Sequence, residues 1–343
     1  MRVFVAGGSG AIGRRLVPQL VAAGHQVTAT TSQSGKSEML RALGAEPVVL
    51  DALDESAVLE AVREAAPDVV MNQLTRLPER YNPRKLRPWY ERSSRLRVEG
   101  TRHLLAGASA AGARRFVYQS IAFMYALAGP PVLDEDARIA TDAPEPFGSV
   151  VRATVEGERL TLASAGIEGV VLRYGWFYGP GTWFHRDGDV GDRVRRRQFP
   201  IVGGGGGLSS FLHVDDAAGA AVCAVVRGSG VYNVVDDDPA AGSEWIPVFA
   251  LAVGAPRPWS VPRWLAAMLV GSWPAEVLVR GRGAFNARAK QELGWRPRHA
   301  SWREGFFASD TADSTSGIAP MTRPDDAELA DHPGWIKRFD DPA

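Results

Sequence analysis

The chain is short of sulfur, of net charge and of uninterrupted apolar sequence. Its single cysteine, Cys223, excludes an intramolecular disulfide and lies in the apolar run AAGAAVCAVV, where helical burial is the expected role. Such cysteine usage suits a reducing compartment, and a cytoplasmic protein is expected. Lysine plus arginine and aspartate plus glutamate are equal at 39 each, so no chain-wide charge attracts nucleic acid or an anionic membrane. The basic clusters PRKLRPWYERSSRLR and RVRRRQ come without a nucleic-acid fold signature and read as solvated helix faces. The longest membrane-like stretch, WLAAMLVGSWPAEVLV from Trp264, is interrupted by Ser272, Pro274 and Glu276 and falls short of a span. VFVA near the N-terminus is too short for a signal peptide. No metal site is expected, because HVDD (His213–Asp216) has no second ligand cluster at metal spacing and its aspartates read as a helix cap.

What is present is a rhythm. Short β-branched runs (RVFVAGG, GHQVTATT, AEPVVLD, PDVVMNQL, RRFVYQSIAF, GVVLRYGWF) alternate with helix-compatible segments such as IGRRLVPQLVAAG and ESAVLEAVREAA. This alternation predicts a Rossmann-type, doubly wound α/β fold with a parallel sheet. A dinucleotide-binding domain is expected over residues 1–175 and a smaller substrate-binding lobe, interleaved with the sheet, over 176–308. The polar, Pro/Asp-rich residues 309–343 are expected to form a C-terminal arm.

MRVFVAGGSGAIGRRL sets a strand, Gly7-x-x-Gly10-x-x-Gly13 and a helix in succession. Gly7 suits the tight turn, Gly10 a close approach of backbone to pyrophosphate, and Gly13 close packing of helix on strand. Ser9, Ala11 and Ile12 complete the loop. The second strand ends in Thr30, Thr31 and Ser32, with Lys36 following, where an NAD site usually carries a carboxylate. Hydroxyls and a lysine suit a 2′-phosphate, so NADP(H) is favoured over NAD(H), with a solvated polar loop as the alternative.

With these motifs and those downstream, residues 1–307 resemble the extended short-chain dehydrogenase/reductase superfamily, the NAD-dependent epimerase/dehydratase-like proteins. The resemblance is carried by GGSGAIG, VVLDALDESAV, FVYQSIAFMYA, LRYGWFYGPGT, FLHVDDAAGA and NARAKQELGWRP. It implies that Asp51 and Ala52 meet the adenine, that Gln73, Leu74, Thr75 and Tyr174 line the cofactor, and that Ser120 is the serine of the fifth strand. It also implies a tyrosine four residues before a lysine on one helix, since residues i and i+4 share a face and the lysine lowers the tyrosine's pKa. Anchored on Glu156, the segment PFGSVVRATVE offers Gly148 and Arg152 at those places; shifted by one residue it offers Phe147 and Val151. Neither register carries the pair.

The first register leaves Arg152 to hold the ribose but not to donate a proton. Ser120, Tyr125 and Arg152 are therefore the expected catalytic residues, with Tyr125 or water as acid and Tyr174, Tyr178 and His185 in reserve. Ser209 stands where nucleotide-sugar enzymes often place an arginine. Tyr125, Trp176, Phe177, Tyr178, Trp183 and His185 are the expected substrate contacts and suit a hydrophobic or aromatic small molecule. Three functions follow: an NADP(H)-dependent oxidoreductase acting on a carbonyl or activated double bond; an epimerase, dehydratase or isomerase without net redox; or an NADP(H)-sensing protein. Pairing of two copies through RLRVEGTRHLLAGASAAG and VVRATVEGERLTLASAG is a further expectation.

Overall fold

The computed structural model describes residues 1–76, 78, 80 and 86–308. Seven parallel strands form the central sheet: β1 (Arg2–Ala6), β2 (Gln26–Thr31), β3 (Glu46–Val49), β4 (Val69–Asn72), β5 (Arg115–Ile121), β6 (Glu168–Tyr174) and β7 (Gly230–Val234). Their spatial order is β7-β6-β5-β4-β1-β2-β3. Helices α1 (Gly13–Ala22), α2 (Ser37–Ala42), α3 (Glu55–Ala65), α4 (Leu86–Arg95), α5 (Thr101–Ala110) and α6 (Phe147–Leu162) make the crossovers. This is the doubly wound α/β architecture that the strand and helix rhythm predicts. The chain runs outward from β1 to β3 and then returns to β4, so the order reverses between β1 and β4. Ligands in such sheets sit at the carboxyl ends of the strands around that reversal.

Strand residues feed two cores in alternation, as a sheet covered on both faces requires. Val3 and Val5 pack with Leu16, Val17 and Leu20 of α1, whereas Phe4 and Ala6 pack with Val58 and Val62 of α3 and Leu104 of α5. After α7 (Asp189–Arg195), the alanine-rich α8 (Val214–Ala224) presents Ala217, Ala218, Ala220, Ala221 and Ala224 to the first core. Cys223 is half-buried against that core, and burial raises its thiol pKa, so helical burial rather than reactivity is what its place supports.

Residues 1–307 form one compact unit. The stretch from residue 176 holds α9 (Gly242–Ala252), α10 (Arg263–Val270) and α11 (Ser272–Arg280), and also returns β7 to the sheet's edge beside β6. Its core is aromatic, built from Tyr178, Phe184, Phe211, Trp245, Phe249, Trp302 and Phe306. The expected C-terminal arm, residues 309–343, lies outside the described residues. Among the described residues, no helix is long and apolar enough to cross a membrane.

Asp236, next to this aromatic core, carries a pH dependence. Its carboxylate accepts the backbone N–H groups of Trp302 at 3.0 Å and Asp238 at 3.3 Å. Burial, reinforced by the charges of Asp238 and Asp237, pushes its pKa up to about 8. The folded state therefore favours the protonated acid. The associated stability is complete below the ordinary carboxylate range and is lost as pH rises through about 8. Asp236→Asn removes the titration and keeps an acceptor for one of the two N–H groups. Its melting temperature relative to that of the wild type is expected to be at least ~2 °C higher at pH 8.5 than at pH 4. A constant difference across that range, measured by thermal melts, would exclude the assignment.

Candidate functional site

The loop after β1 is built for close backbone contact. Gly7 has φ +90°, and a Cβ there would lie 2.7 Å from the carbonyl oxygen of Gln73, at the end of β4. At Gly13 a Cβ would lie 2.4 Å from the Gly8 oxygen and 2.5 Å from the Gly7 oxygen, so α1 starts hard against the loop. Gly10 is different: within 4 Å its Cβ would meet only the Gly7 oxygen, at 3.3 Å. One face of the loop is thus open at Gly10 while Gly7 and Gly13 hold it in place. Ala11 and Ile12 pack into the core, and Ile12 stands at the N-cap of α1 without a side-chain cap; the Arg14 and Arg15 N–H groups donate to the Gly10 and Ile12 carbonyls, so the positive end of the helix faces the loop with its dipole and the N–H groups before Arg14.

The loop is tied to β2. Thr30 Oγ1 accepts the Gly7 N–H at 3.1 Å, and Ser9 Oγ lies 3.0 Å from Thr31 Oγ1, which also accepts the Gln33 N–H at 3.2 Å. Thr31 is buried and serves the loop, whereas Ser32 and Lys36 are exposed beyond it. At the next strand end, Asp51 is half-exposed, accepts the Leu53 N–H at 3.1 Å and pairs with Arg92 at 3.1 Å; Ala52 is buried beside it. Leu74 and Thr75 are half-buried, the Leu74 N–H being fixed by Asn72 Oδ1 at 3.0 Å. Gln73 is buried, and neither polar atom of its amide has a hydrogen-bond partner. An open glycine face, an uncapped helix start and an orphaned amide beside them fit a dinucleotide.

α6 settles which register of its first turns faces the strands. A Cβ on Gly148 would lie 2.0 Å from the Ala143 oxygen, so no side chain fits there. Arg152 is exposed and turned outward: it donates to the Thr141 carbonyl at 3.1 Å and pairs with Glu145. Phe147 and Val151 instead pack with Ile121 and Met124 at the end of β5, together with Phe123, Ile139 and Val155. Of the two registers, the one with Phe147 and Val151 faces the end of β5 and both residues are apolar, whereas Arg152, expected to hold the ribose, pairs with Glu145 instead. A tyrosine and a lysine four residues apart do occur elsewhere, Tyr81 and Lys85, with Pro83 between them; they lie outside the described residues.

Ser120 is fully buried and donates from Oγ to Glu158 Oε1 at 2.5 Å. Glu158 is held by Arg173 through Nε at 2.8 Å and through a second nitrogen at 2.7 Å. Arg173 also donates to the Tyr125 hydroxyl at 3.1 Å and to the Glu135 carbonyl at 2.9 Å. The Tyr125 hydroxyl donates to Asn233 Oδ1 at 2.7 Å, and burial raises its pKa, with Arg173 only partly offsetting this. Ser120 and Tyr125 therefore belong to one closed interior network across β5, β6 and β7, and neither is presented as a substrate contact or a proton donor.

The expected aromatic contacts disperse. Tyr178 is fully buried in the lobe core, where burial raises its pKa, and Tyr174 is buried with its hydroxyl 3.4 Å from the Ala217 carbonyl. Phe177 packs with Tyr174 on the first sheet core. Trp183 donates to the Pro78 carbonyl at 2.9 Å, and His185 Nδ1 accepts the Asp187 N–H at 3.3 Å. Trp176 alone stays at the strand ends, half-buried and stacked on Phe123 with ring centroids 3.9 Å apart. Phe147 stacks on Trp273 of α11 at 6.3 Å. Sequence reasoning missed Ile121, Phe123 and Trp273; the signal available was that Ile121 directly follows Ser120.

HVDD is not capped as expected. His213, not an aspartate, caps α8 by accepting the Asp215 N–H at 3.3 Å, and burial holds it neutral with a pKa of about 3. Asp215 pairs with Arg15 at 3.4 Å, and Asp216 accepts the backbone N–H groups of Arg298 and His299, each at 2.9 Å. The fold does bring His299 to His213 and Asp216, which the chain order conceals, but the two rings stack 3.8 Å apart and Asp216 is already satisfied.

A parallel sheet with a glycine-rich loop at its reversal point defines a dinucleotide-binding enzyme fold. Residues 3–234 match the model of the NAD dependent epimerase/dehydratase family, and the chain belongs to it. It is an oxidoreductase that uses a nicotinamide cofactor. A Streptomyces protein described as 3-diazoavenalumate denitrifying reductase is 50% identical over 309 residues, which cover 89% of this chain and 99% of that one. A ketoreductase of Stigmatella aurantiaca, acting on a 4-farnesyl-dihydroquinoline-1-oxide, is 30% identical over 243 residues, 70% and 69% of the two chains. Among solved structures, a human epimerase family protein with NADPH superposes with a TM-score of 0.67 at 21% identity, covering 90% of this chain and 98% of that one.

Proposed function

We propose that this protein is an NADPH-dependent reductase that replaces the diazo group of an aromatic metabolite by hydrogen. One observation carries the reading: Phe147 and Val151, the residues of α6 that face the end of β5, are apolar and pack against Ile121 and Met124, so this turn of α6 offers no acid. Reduction of a carbonyl leaves an alkoxide that must be protonated as it forms, which is what the tyrosine and its lysine supply. An arenediazonium asks for no such proton. When bound, the nicotinamide supplies a hydride. The balance is arenediazonium plus NADPH giving arene, N2 and NADP+: the C–N bond pair leaves with N2, two electrons from the cofactor make the new C–H bond, and no proton enters. The relative at 50% identity, a denitrifying reductase of a diazo compound by its description, supports this chemistry.

The chain's own residues then have simple tasks. Gly7, Gly10, Gly13 and the start of α1 would hold the pyrophosphate, Ser32 and Lys36 the 2′-phosphate, Asp51 and Ala52 the adenine, and Gln73 the nicotinamide side. Apolar side chains around the end of β5 would exclude water, which otherwise attacks a diazonium carbon. Lys36→Glu is expected to weaken NADPH by at least ~10-fold while leaving NADH within ~3-fold, because only the 2′-phosphate meets the reversed charge. Equal losses for both cofactors in equilibrium binding would remove Lys36 from the site. We propose in addition a cytoplasmic homodimer through α5 and α6; a one-chain mass by light scattering would exclude the pairing.

The test of the reaction is a substrate panel with NADPH. An arenediazonium is expected to be turned over with kcat/KM at least ~100-fold above matched ketones and enones. A second reading, reduction of a carbonyl with water as the proton source, is favoured by the ketoreductase relative; the reverse ranking would establish it.

A further inference from the structure

Helix α10 is apolar on the side that meets water. Its inner side is already satisfied: Leu265, Ala266 and Ala267 pack with Ala275, Leu278 and Val279 of α11. Its outer side carries Trp264, Met268 and Leu269, which are 64%, 68% and 69% exposed. Trp264 and Met268 stand one turn apart and Leu269 follows, so the three are neighbours on the helix surface. Arg263 is the one charged residue of the helix, and Glu276 of α11 pairs with it. A surface helix ordinarily turns charged and polar side chains to this side. Three large apolar side chains in water do nothing for the fold and mark a surface that meets something else.

The surroundings are basic. Residues 255–282 hold four arginines, Arg257, Arg263, Arg280 and Arg282, against one acid, Glu276. A second arginine-rich turn is brought to the same edge. The strand Ser260–Val261, just before α10, pairs with Ile201–Val202, and the exposed Trp259 donates its indole N–H to the Arg197 carbonyl at 3.0 Å. Arg196 and Arg197 are exposed there, while the acids of α7, Asp189 and Asp192, pair with Arg193 and Arg195.

We propose that the outer side of α10, with Trp259 and the Arg196–Arg197 turn beside it, docks the protein on an anionic lipid bilayer. Trp264, Met268 and Leu269 enter the boundary between headgroups and acyl chains, where an indole keeps its ring in an apolar layer and its N–H among polar groups. The arginines meet the lipid phosphates. Charge favours lipid over a second copy of the chain: a two-fold contact through this face sets its basic rim against itself, whereas an anionic surface opposes it with the other sign. α10 is too short to cross the bilayer, so the attachment is superficial and reversible.

Co-sedimentation of the full chain with vesicles tests this. Vesicles of equal parts phosphatidylglycerol and phosphatidylcholine are expected to bind it at least ~10-fold more tightly than vesicles of phosphatidylcholine alone. Trp264→Ser combined with Leu269→Ser is expected to weaken that binding by at least ~10-fold. Arg196→Gln combined with Arg197→Gln is expected to weaken it by about 10-fold on the anionic vesicles only. Val226→Ser, at an apolar residue 58% exposed beyond α8, is expected to leave it intact. All three variants are expected to keep the melting temperature within about 2 °C of the wild type, since the altered side chains are exposed. No preference for the anionic vesicles, or a preference that survives the Trp264 and Leu269 changes, would overturn the proposal. So would a dimeric mass in light scattering that falls to one chain on those two changes without any vesicle binding, which assigns the face to a second copy.

Discussion

Arg173→Met is expected to lower stability by about 3–5 kcal/mol, the range for removing one partner of a buried ion pair. The side chains of Arg173 and Glu158 are 6% and 7% exposed, and the guanidinium makes four hydrogen bonds: two to Glu158, one to Tyr125 and one to the Glu135 carbonyl. Burial alone would lower the arginine's pKa, but Glu158 outweighs it and the net direction is upward. Methionine fills much of the volume and leaves Glu158 charged, with the Ser120 hydroxyl as its remaining partner in the network. The loss is therefore electrostatic rather than a cavity effect. Pairing the change with Glu158→Leu is expected to recover most of the loss, because the uncompensated charge goes as well. Urea melts of the two variants check this; a loss below about 1 kcal/mol for Arg173→Met would show that the network carries little of the fold.

Gly13→Ala is expected to weaken NADPH binding by at least ~100-fold, about 2.7 kcal/mol. The added methyl would sit 2.4–2.5 Å from backbone atoms of Gly7 and Gly8, which cannot rotate away as a side chain could. The loop must shift, and with it the N–H groups that face the phosphates. Gly10→Ala separates the two effects. Its methyl meets only the Gly7 oxygen at 3.3 Å, so the cofactor-free fold is expected to keep its melting temperature within about 2 °C while affinity still falls, since the methyl occupies the open face. Melting curves with and without NADPH decide it. Full stabilisation by NADPH in either variant would contradict the assignment of the loop.

Much of the fold could be read from local sequence, because a parallel sheet covered on both faces writes itself as short apolar runs between helical segments. The nucleotide loop was legible for a similar reason: Gly7 and Gly13 are required by contacts within a few residues or with the neighbouring strand end. The surroundings of the end of β5 were not legible, because each residue there is placed by distant parts of the chain. The register of α6 turns on Gly148 meeting the backbone of Ala143. Ser120 carries the family's motif yet bonds to Glu158, 38 residues away. Tyr125 looked free at a strand end and is closed in by Asn233, 108 residues on. Trp176, Phe177 and Tyr178 are adjacent in sequence, but strand alternation sends Phe177 to the sheet core and Tyr178 to the lobe core. Trp273 reaches Phe147 from α11, a contact that local sequence does not encode.

The apolar packing of Ile121, Phe147 and Val151 makes the number of protons taken up the decisive quantity. With 4-carboxybenzenediazonium in weak buffer, NADPH oxidation followed by absorbance, N2 by mass spectrometry and pH by an indicator dye can be measured together, each against the reaction without enzyme. The account predicts one N2 released per NADPH oxidised and no proton consumed. NADPH oxidised without an equivalent of N2, the nitrogens staying on the ring, or a proton consumed with each NADPH, would contradict it.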